Sequence, residues 1–254
     1  MRYEVTDGVA TLTLDNPDAR NVLNADTMAA LSDGLQQAAE DAAVRVVVLT
    51  AEGRAFCAGA DLKGAAAADS GSFTAAGPLA LVAVLEEILD HPKPTIARVQ
   101  GHVAGGGNGL VAACDLAVAA DDVHFAFSEV RVGVAPAVVS VVCLDKMHRR
   151  DGIELLLLGE RVSAERAARA GLINKAVPRA DLDAAVQAYV EALRKGGPLA
   201  LRATKDLLRK VPGMERTQAF TWTAEASAHL FNSEEAKAGM TAFLTRQPAP
   251  WLTE

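Results

Sequence analysis

Three consecutive glycines, Gly105 to Gly107, lie between a strand-like segment and a helix-like segment. Because glycine has no side chain, the main chain at such a turn can approach a ligand closely and direct N–H groups at it. The first N–H groups of a helix have no partner within the helix and carry the positive end of its dipole. They can stabilise the oxyanion of an enolate or of a tetrahedral intermediate, where one donor contributes about 3–4 kcal/mol in a transition state.

Two other interpretations of this glycine cluster are open. A nucleotide-binding loop requires G-x-G-x-x-G or G-x-x-x-x-G-K-[ST], and Gly105, Gly107 and Gly109 are instead spaced by two, with no Lys-Ser or Lys-Thr after them. A tight turn between a strand and a helix would also use glycine. The oxyanion interpretation requires a second donor from another tight backbone segment, and Phe56 to Leu62 is the candidate.

The composition excludes several classes of protein. Of 254 residues, 50% are hydrophobic and 22% are charged, as in a globular chain with a sizeable core. The net charge is −7 and no long basic run is present, which argues against nucleic acid as a partner. The three cysteines form no C-x-x-C pair, so neither a disulfide framework nor a zinc site is predicted. The start of the chain shows no signal-peptide pattern and the longest apolar run, Val132 to Leu144, is too short to cross a bilayer, so a cytoplasmic protein without a membrane partner is predicted.

Strand and helix patterns alternate along the first two thirds of the chain, which indicates an α/β layered fold. Glycines from Gly101 to Gly109 are interpreted as one turn. The predicted strands cover Val9–Asp15, Val44–Thr50, Thr95–Gln100, Leu116–Ala120 and His124–Phe127. The predicted helices run from Asn24 or Asp26 to about Ala43, from Pro78 to about Asp90, and from Leu110 to Cys114.

Helical patterns dominate the end of the chain. Gly196-Gly197-Pro198 is the best candidate boundary between a core of residues 1–195 and a C-terminal segment of residues 196–254. The segment shows amphipathic helical patterns but is too small for a core of its own. We therefore expect it to pack on a neighbour or to complete an oligomer.

Five segments, in the same order, resemble the signature regions of the crotonase superfamily, the enoyl-CoA hydratases and isomerases. Any one of these motifs would be weak evidence, but together they cover essentially the whole chain. The segments are Asn16–Asn24, Ala55–Lys63, Val99–Gly107 with Ala113–Leu116, Leu158–Glu165 and Ala170–Asn174.

This resemblance implies a crotonase-like spiral of β-β-α units and a C-terminal helical segment used in trimerisation, as a homotrimer or a hexamer built from two trimers. It also implies that the backbone N–H groups of Ala60 and Gly106 bind the carbonyl oxygen of an acyl-CoA thioester. No separate cofactor and no metal are implied, since coenzyme A is part of the substrate. For Asp61, organisation of its loop is an equally good interpretation. The residues that the resemblance places at the substrate are Arg20, Ala58, Asp61, Leu62, Lys63, Gly105 and Gly109.

The resemblance also bears on the reaction. Hydratases carry one glutamate two residues after the triple glycine and a second one twenty residues further on. Here Gly109 takes the first place and Glu129 the second. Taken alone, Glu129 at the end of an apolar strand would be solvent-facing, but its spacing from Gly106 matches a catalytic acid–base residue. It would then serve both the deprotonation of water and the protonation of the α-carbon, or share these steps with another group.

Ala137, eight residues after Glu129, bears on which reaction of the superfamily is expected. The dehalogenase, dienoyl-CoA isomerase and hydroxyacyl-CoA hydrolase branches carry an acidic residue there, whereas hydratases carry a small residue whose backbone N–H can hold the water. The segment Ser128–Ala137 also resembles hydratases of the methylglutaconyl-CoA type, which lack the first glutamate. An enoyl-CoA hydratase is therefore the first prediction. A double-bond isomerase, which needs one base, and a non-catalytic acyl-CoA-binding subunit are the alternatives.

His102 beside the glycine turn is expected to be hydrogen-bonded rather than catalytic.

Overall fold

The computed structural model describes residues 1–61 and 76–252. Within these ranges the chain alternates short strands with helices, and the predicted α/β class is confirmed. The strands are β1 (Arg2–Thr6), β2 (Val9–Leu14), β3 (Val46–Ala51), β4 (Ala55–Cys57), β5 (Thr95–Val99), β6 (His102–Ala104), β7 (Leu116–Ala120), β8 (His124–Ala126), β9 (Arg161–Ser163) and β10 (Lys175–Val177). The α-helices are α1 (Ala25–Glu40), α2 (Ala76–Leu89), α3 (Gly106–Ala113), α4 (Ala137–Lys146), α5 (Arg149–Leu158), α6 (Ala164–Arg169), α7 (Leu182–Arg194), α8 (Pro198–Lys210), α9 (Arg216–Phe231) and α10 (Glu234–Thr245).

Two sheets form the framework. The larger sheet has the order β1-β2-β3-β5-β7-β10, antiparallel between β1 and β2 and parallel elsewhere. The smaller sheet has the order β4-β6-β8-β9 and is antiparallel only between β8 and β9. The pairs β3/β4, β5/β6 and β7/β8 each place one strand in each sheet before the chain continues into a helix. This repeated β-β-α unit winds the chain into a spiral.

The core lies between the larger sheet and helices α1, α2, α3 and α4. All six residues of β3 are buried, as its continuous β-branched and apolar run predicts. In α3, all seven residues from Gly107 to Ala113 are buried. Because α3 is enclosed on all sides, the position of its N-terminus is set by the packing of the core.

The prediction of a single turn from Gly101 to Gly109 is wrong, because this segment contains β6 and the first half of α3. Glycine has a low intrinsic helix propensity, which disfavours a helix on sequence grounds. Packing requires glycine at this place, because a Cβ on Gly107 would lie 2.8 Å from the Cβ of Cys57 on β4. The short strands β9 and β10 were not predicted either, and three residues are too few for a recognisable alternation.

The C-terminal helices are attached to the rest of the chain by polar contacts. The Arg45 guanidinium donates to the Gly196 and Trp251 carbonyl oxygens at 2.9 and 3.1 Å. On α8, the Lys205 ammonium donates to an Asp115 carboxylate oxygen at 2.6 Å. Each of these bonds joins residues far apart in sequence, so they fix the direction in which α8 leaves the spiral.

Helices α8 and α9 bury none of their residues within the chain. Large apolar side chains are exposed on the last two helices, including Phe220, Phe231 and Phe243 at 71%, 64% and 82%. No helix of residues 1–61 and 76–252 combines the length and the apolar composition needed to cross a membrane.

Candidate active site

The loop after β4 is pressed against the glycine turn. Gly59 has a φ of +85°, a left-handed conformation that favours glycine. A Cβ there would lie 3.0 Å from the Ala104 carbonyl oxygen and 3.3 Å from the Gly106 nitrogen. The backbone at Gly59 therefore touches the segment that opens α3, and the structure brings together the two loops that were predicted to supply amide donors.

The same loop is held from the other side by the N-terminal segment. The Ala58 N–H donates to the Arg20 carbonyl oxygen at 3.0 Å, and the Leu23 N–H donates to the Gly59 carbonyl oxygen at 2.8 Å. Leu23 and Ala60 form an isolated parallel bridge. In a parallel bridge, one residue of the pair makes the hydrogen bonds itself and the other is bonded only through its two neighbours. The N–H of this second residue, here Ala60, points away from the partner strand. The Ala60 N–H is thus directed away from Leu23.

Asn21 fixes this N-terminal segment in place. It is 1% exposed, and its side-chain amide donates to the Glu52 and Ala55 carbonyl oxygens at 2.9 and 2.8 Å. Both Arg20 and Asn21 have positive φ values, +55° and +52°, which are costly for residues other than glycine. The two hydrogen bonds offset this cost, so Asn21 holds the backbone of Arg20 against Ala58.

Asn108 ties the glycine turn to the end of β8. Its side-chain amide donates to the Ala126 and Gly105 carbonyl oxygens at 2.8 and 3.2 Å, and the Gly105 N–H donates to the same Ala126 oxygen at 3.1 Å. Asn108 is fully buried, and its Oδ1 has no hydrogen-bond partner among the described residues. Sequence reasoning missed this residue, because the prediction placed it in a glycine turn and only the structure shows that it lies in a buried helix.

The N–H of Gly106 opens α3 at this turn. Gly105 precedes it with a φ of +52°. A Cβ on Gly106 would lie 2.7 Å from the Leu23 side chain, so no larger residue fits there without displacing Leu23. As the first amide of the helix, the Gly106 N–H lacks a helical acceptor and lies at the positive end of the helix dipole.

Glu129 lies in a short 3-10 helix, Ser128–Val132, that directly follows β8 and Phe127. Its side chain is half-buried and reaches the glycine turn: a Cβ on Gly105 would lie 3.5 Å from Glu129 Oε1. Oε2 is buried and has no partner among the described residues. Burial raises the pKa of this carboxyl, and a hydrogen bond from its own backbone has a smaller effect in the opposite direction. A carboxyl that holds its proton more tightly and faces the turn can act as a general acid as well as a base.

Apolar side chains occupy the place of the missing first glutamate. A Cβ on Gly109 would lie 2.9 Å from Val139 and 3.4 Å from Leu85. Gly109 therefore packs helix α3 against α4 and α2. Ala137 begins α4, but its N–H donates to the Ala135 carbonyl oxygen at 2.8 Å. This bond engages the amide that was predicted to hold a water molecule, so the geometry gives that role no support.

The remaining predicted substrate residues are partly described. Arg20 and Ala58 line a cavity of about 560 Å³ on the outer side of the smaller sheet. Asp61 is half-buried at the end of the loop that carries Ala60. Leu62 and Lys63 lie outside the described residues.

The three cysteines are free and buried. Burial raises the pKa of Cys57 and of Cys114 to about 12. Burial also raises the pKa of Cys143, and the nearby Glu129 carboxylate adds to this effect. Among residues 1–61 and 76–252, no group of three His, Cys, Asp or Glu side chains could hold a metal ion.

The fold and this arrangement of loops define a class of protein, the acyl-CoA enzymes that share the β-β-α spiral. The model of the enoyl-CoA hydratase/isomerase family matches residues 4–254. The chain belongs to this family, and the predicted resemblance to the crotonase superfamily is confirmed.

Individual relatives agree over almost the whole chain. A Thermus thermophilus protein, provisionally named an enoyl-CoA hydratase, is 34% identical over 247 residues, which cover 94% of this chain and 96% of the relative. A carnitinyl-CoA dehydratase of Salmonella enteritidis is 32% identical over 254 residues, covering 96% and 94%. The crystal structure of an enoyl-CoA hydratase from Mycobacterium smegmatis superposes with a TM-score of 0.93 at 34% identity, covering 99% of this chain and 98% of that one. These matches confirm the crotonase fold, and family membership implies binding of an acyl-CoA thioester.

Proposed function

We propose that this chain is an enoyl-CoA hydratase, which adds water across the double bond of a 2-enoyl-CoA thioester. The observation that carries the proposal is the Glu129 carboxylate, half-buried, with an unpartnered Oε2, against the glycine turn. The similarity to proteins named as a hydratase and a dehydratase supports a reaction of this type.

In this proposal, the N–H groups of Ala60 and Gly106 bind the thioester carbonyl oxygen. Contact between the backbone of Gly59 and the start of α3 supports this role, as does the direction of the Ala60 N–H away from Leu23. As the nucleophile attacks, negative charge moves onto this oxygen and an enolate forms. The two N–H donors are already in place, so they stabilise that charge without any rearrangement of the backbone. Electrostatic stabilisation of this kind is usually the largest single contribution to catalysis.

Glu129 carries the proton. As a carboxylate, it accepts a proton from water while the water oxygen forms a bond to the β-carbon and the π electrons move toward the thioester oxygen. The protonated carboxyl then donates to the α-carbon as the enolate returns to a thioester. Burial favours the protonated form that the second step requires. No second carboxylate is needed, and Gly109 with Val139 leaves no room for one.

A double-bond isomerase is the second candidate. Moving a proton between the α- and γ-carbons needs a single base, and the packing of Val139 against Gly109 is a specific observation that favours a one-carboxylate site. A non-catalytic acyl-CoA-binding subunit is the third, and retention of Glu129 at the turn argues against it.

A substrate panel tests these candidates. Hydration removes the enone absorbance of crotonyl-CoA, whereas an isomerase would leave it unchanged and create conjugation in a 3-enoyl-CoA. Glu129→Gln keeps the side-chain shape but removes the acid–base group, and we expect at least about a hundredfold loss of turnover. Glu191→Gln, an exposed substitution on α7, is the matched control. Near-normal turnover of the Glu129 variant would remove it from the mechanism, and tight binding without any conversion would favour the binding subunit.

We also propose that the C-terminal helical segment, residues 196–254, assembles the chain into a homotrimer or a hexamer. The exposed Phe220, Phe231 and Phe243 support this, because large apolar groups on one segment are typical of surfaces covered by another subunit.

A further inference from the structure

The segment that carries Glu129 is not anchored by burial. Phe127 before the segment and Pro136 after it are buried, whereas none of residues 128–135 between them is fully buried. Apolar packing therefore fixes the two ends of the segment but not its middle. The position of the Glu129 carboxylate against the glycine turn depends on polar contacts made by the residues beside it.

Arg131 joins the 3-10 helix Ser128–Val132 to the C-terminal end of α5. Its Nε donates to the Gly159 carbonyl oxygen at 2.9 Å, and its Nη2 donates to the Leu158 carbonyl oxygen at 3.0 Å. Within the described part of the chain, these two bonds are the hydrogen bonds between the 3-10 helix and another element. The Glu160 carboxylate lies 3.5 Å from the same guanidinium, but both groups are exposed, so this ion pair contributes little.

The end of α5 is suited to receive a guanidinium. The carbonyl groups of the last turn have no donor within the helix and lie at the negative end of its dipole. The planar guanidinium presents several N–H donors in a fixed arrangement, so it can satisfy two adjacent carbonyl oxygens at once.

Gly159 allows the 3-10 helix to approach this helix end closely. It has a φ of +61°, and a Cβ there would lie 2.8 Å from the Val130 side chain and 3.1 Å from the Phe127 carbonyl oxygen. The residues on either side of Glu129 therefore contact the end of α5 directly. The segment Leu158–Glu165, one of the five that resemble the superfamily, thus has a physical link to the proposed acid–base residue.

The charge of Arg131 does not account for the raised pKa of Glu129. Burial raises that pKa, and a hydrogen bond from the Glu129 backbone has a smaller effect in the opposite direction. A cation acting on the carboxyl would lower its pKa. On α4, the Cys143 thiol senses the Glu129 carboxylate, but its own raised pKa keeps it protonated at neutral pH. Any influence of Arg131 on Glu129 therefore comes through the position of the backbone.

We propose that Arg131 is a positioning residue, which holds the Glu129 carboxyl against the glycine turn by fastening its 3-10 helix to the end of α5. The assignment rests on the proposed function, because it concerns the same acid–base group. Asn108 already fixes the start of this segment at the Ala126 carbonyl oxygen, and Arg131 fixes its middle. Without the Arg131 bonds the 3-10 helix can move outward and the carboxyl gains water. A displacement of about 1 Å of a reacting group can cost about a hundredfold in rate.

Steady-state kinetics of two Arg131 variants test this role. Arg131→Met keeps the aliphatic stem and removes the donors, and we expect kcat to fall about ten- to a hundredfold with KM little changed. Arg131→Lys should give an intermediate kcat, because an ammonium can reach one carbonyl oxygen but does not span both. Arg149→Met, an exposed arginine at the other end of α5, is the control and should turn over as wild type.

A double variant distinguishes positioning of Glu129 from a general loss of structure. In the Glu129→Gln background the acid–base group is already absent, so adding Arg131→Met should lower kcat by less than about twofold. Structural damage alone would lower kcat by the same factor in both backgrounds. Equal factors in the two backgrounds, or wild-type kcat for Arg131→Met, would overturn the assignment.

The ionisation of Glu129 gives an answer that does not depend on turnover. NMR of the carboxyl carbons, with Glu129→Gln to assign the signal, measures the Glu129 pKa in wild type and in Arg131→Met. We expect this pKa to fall in the variant, because a displaced carboxyl is better hydrated, whereas loss of a nearby cation would raise it. An unchanged or raised pKa would overturn the proposal. If wild type hydrates no 2-enoyl-CoA, the proposed function fails, and this titration still decides whether Arg131 positions the carboxyl.

Discussion

The substitution Asn108→Ala should lower turnover more than it lowers the free energy of unfolding. The substitution removes two side-chain hydrogen bonds, to the carbonyl oxygens of Gly105 and Ala126, that tie the glycine turn to the end of β8. Glu129 lies three residues beyond Ala126, and Gly106 directly follows Gly105. The side chain of Asn108 therefore joins the segment that carries the acid–base group to the segment that carries one amide donor.

The effect on stability should be small. Each lost bond costs about 1 kcal/mol net. Both carbonyl oxygens keep a second donor, because the Gly105 N–H reaches Ala126 at 3.1 Å and the Asn108 backbone N–H reaches Gly105 at 3.0 Å. Removing the buried and unpartnered Oδ1 of Asn108 offsets about 1 kcal/mol or more. We expect the free energy of unfolding to change by about 1 kcal/mol or less.

The effect on turnover should be larger. An oxyanion donor contributes about 3–4 kcal/mol, and a loss of one third of that through misplacement of the Gly106 N–H corresponds to about tenfold in rate. We expect kcat to fall about tenfold with KM little changed. Urea unfolding and steady-state kinetics on the same preparations measure the two effects, with Asn232→Ala, an exposed asparagine at the C-terminal end of α9, as control. Unchanged kcat would refute the reasoning, as would a loss of activity that only follows a loss of folded protein.

Two further predictions concern pH and assembly. Burial raises the pKa of Glu129, so the folded chain holds this proton more tightly than the unfolded chain, and the contribution of Glu129 to stability falls as pH rises above the ordinary glutamate value. Glu129→Gln should therefore be more stable than wild type at pH 8 and equal to it below about pH 4, and urea titrations in which the two proteins differ equally at both pH values would contradict this. For assembly, light scattering should give three or six times the chain mass of 26.5 kDa, and a monomer at micromolar concentration would contradict the role of the C-terminal helices.

Much of the fold was predictable because its signals are local. The apolar runs of β3 and β7 and the alternation in β2 identify strands directly. The segment around β6 and α3 was not predictable, because its glycines are required by packing against residues that are distant in sequence. Position 107 is glycine because Cys57 on another strand leaves no room for a side chain. Local helix propensity does not report that contact.

The candidate site divides in the same way. The glycine cluster and the segment Phe56 to Leu62 could be predicted as two tight backbone turns, and Gly105 and Gly59 in them have positive φ values. The placement of Glu129 beside the turn followed from family spacing, since its local sequence indicates an exposed residue. Asn108 was missed because the prediction placed it in a turn and because one of its two acceptors, Ala126, lies on another strand. The engagement of the Ala137 amide by Ala135 depends on a local backbone turn at Pro136 that residue types do not reveal.

The burial of the three thiols has a consequence for the chemistry proposed here. A 2-enoyl thioester is a soft electrophile, and a cysteine thiolate would add to its β-carbon in place of water. Cys57 adjoins the loop of Ala60, and Cys143 is close enough to Glu129 to sense its charge. With the pKa of Cys57 at about 12, almost none of it is ionised at neutral pH, and the thiolate is the reactive form. In the proposed site, sulfur would therefore lie next to an alkylating substrate in a form that resists self-inactivation.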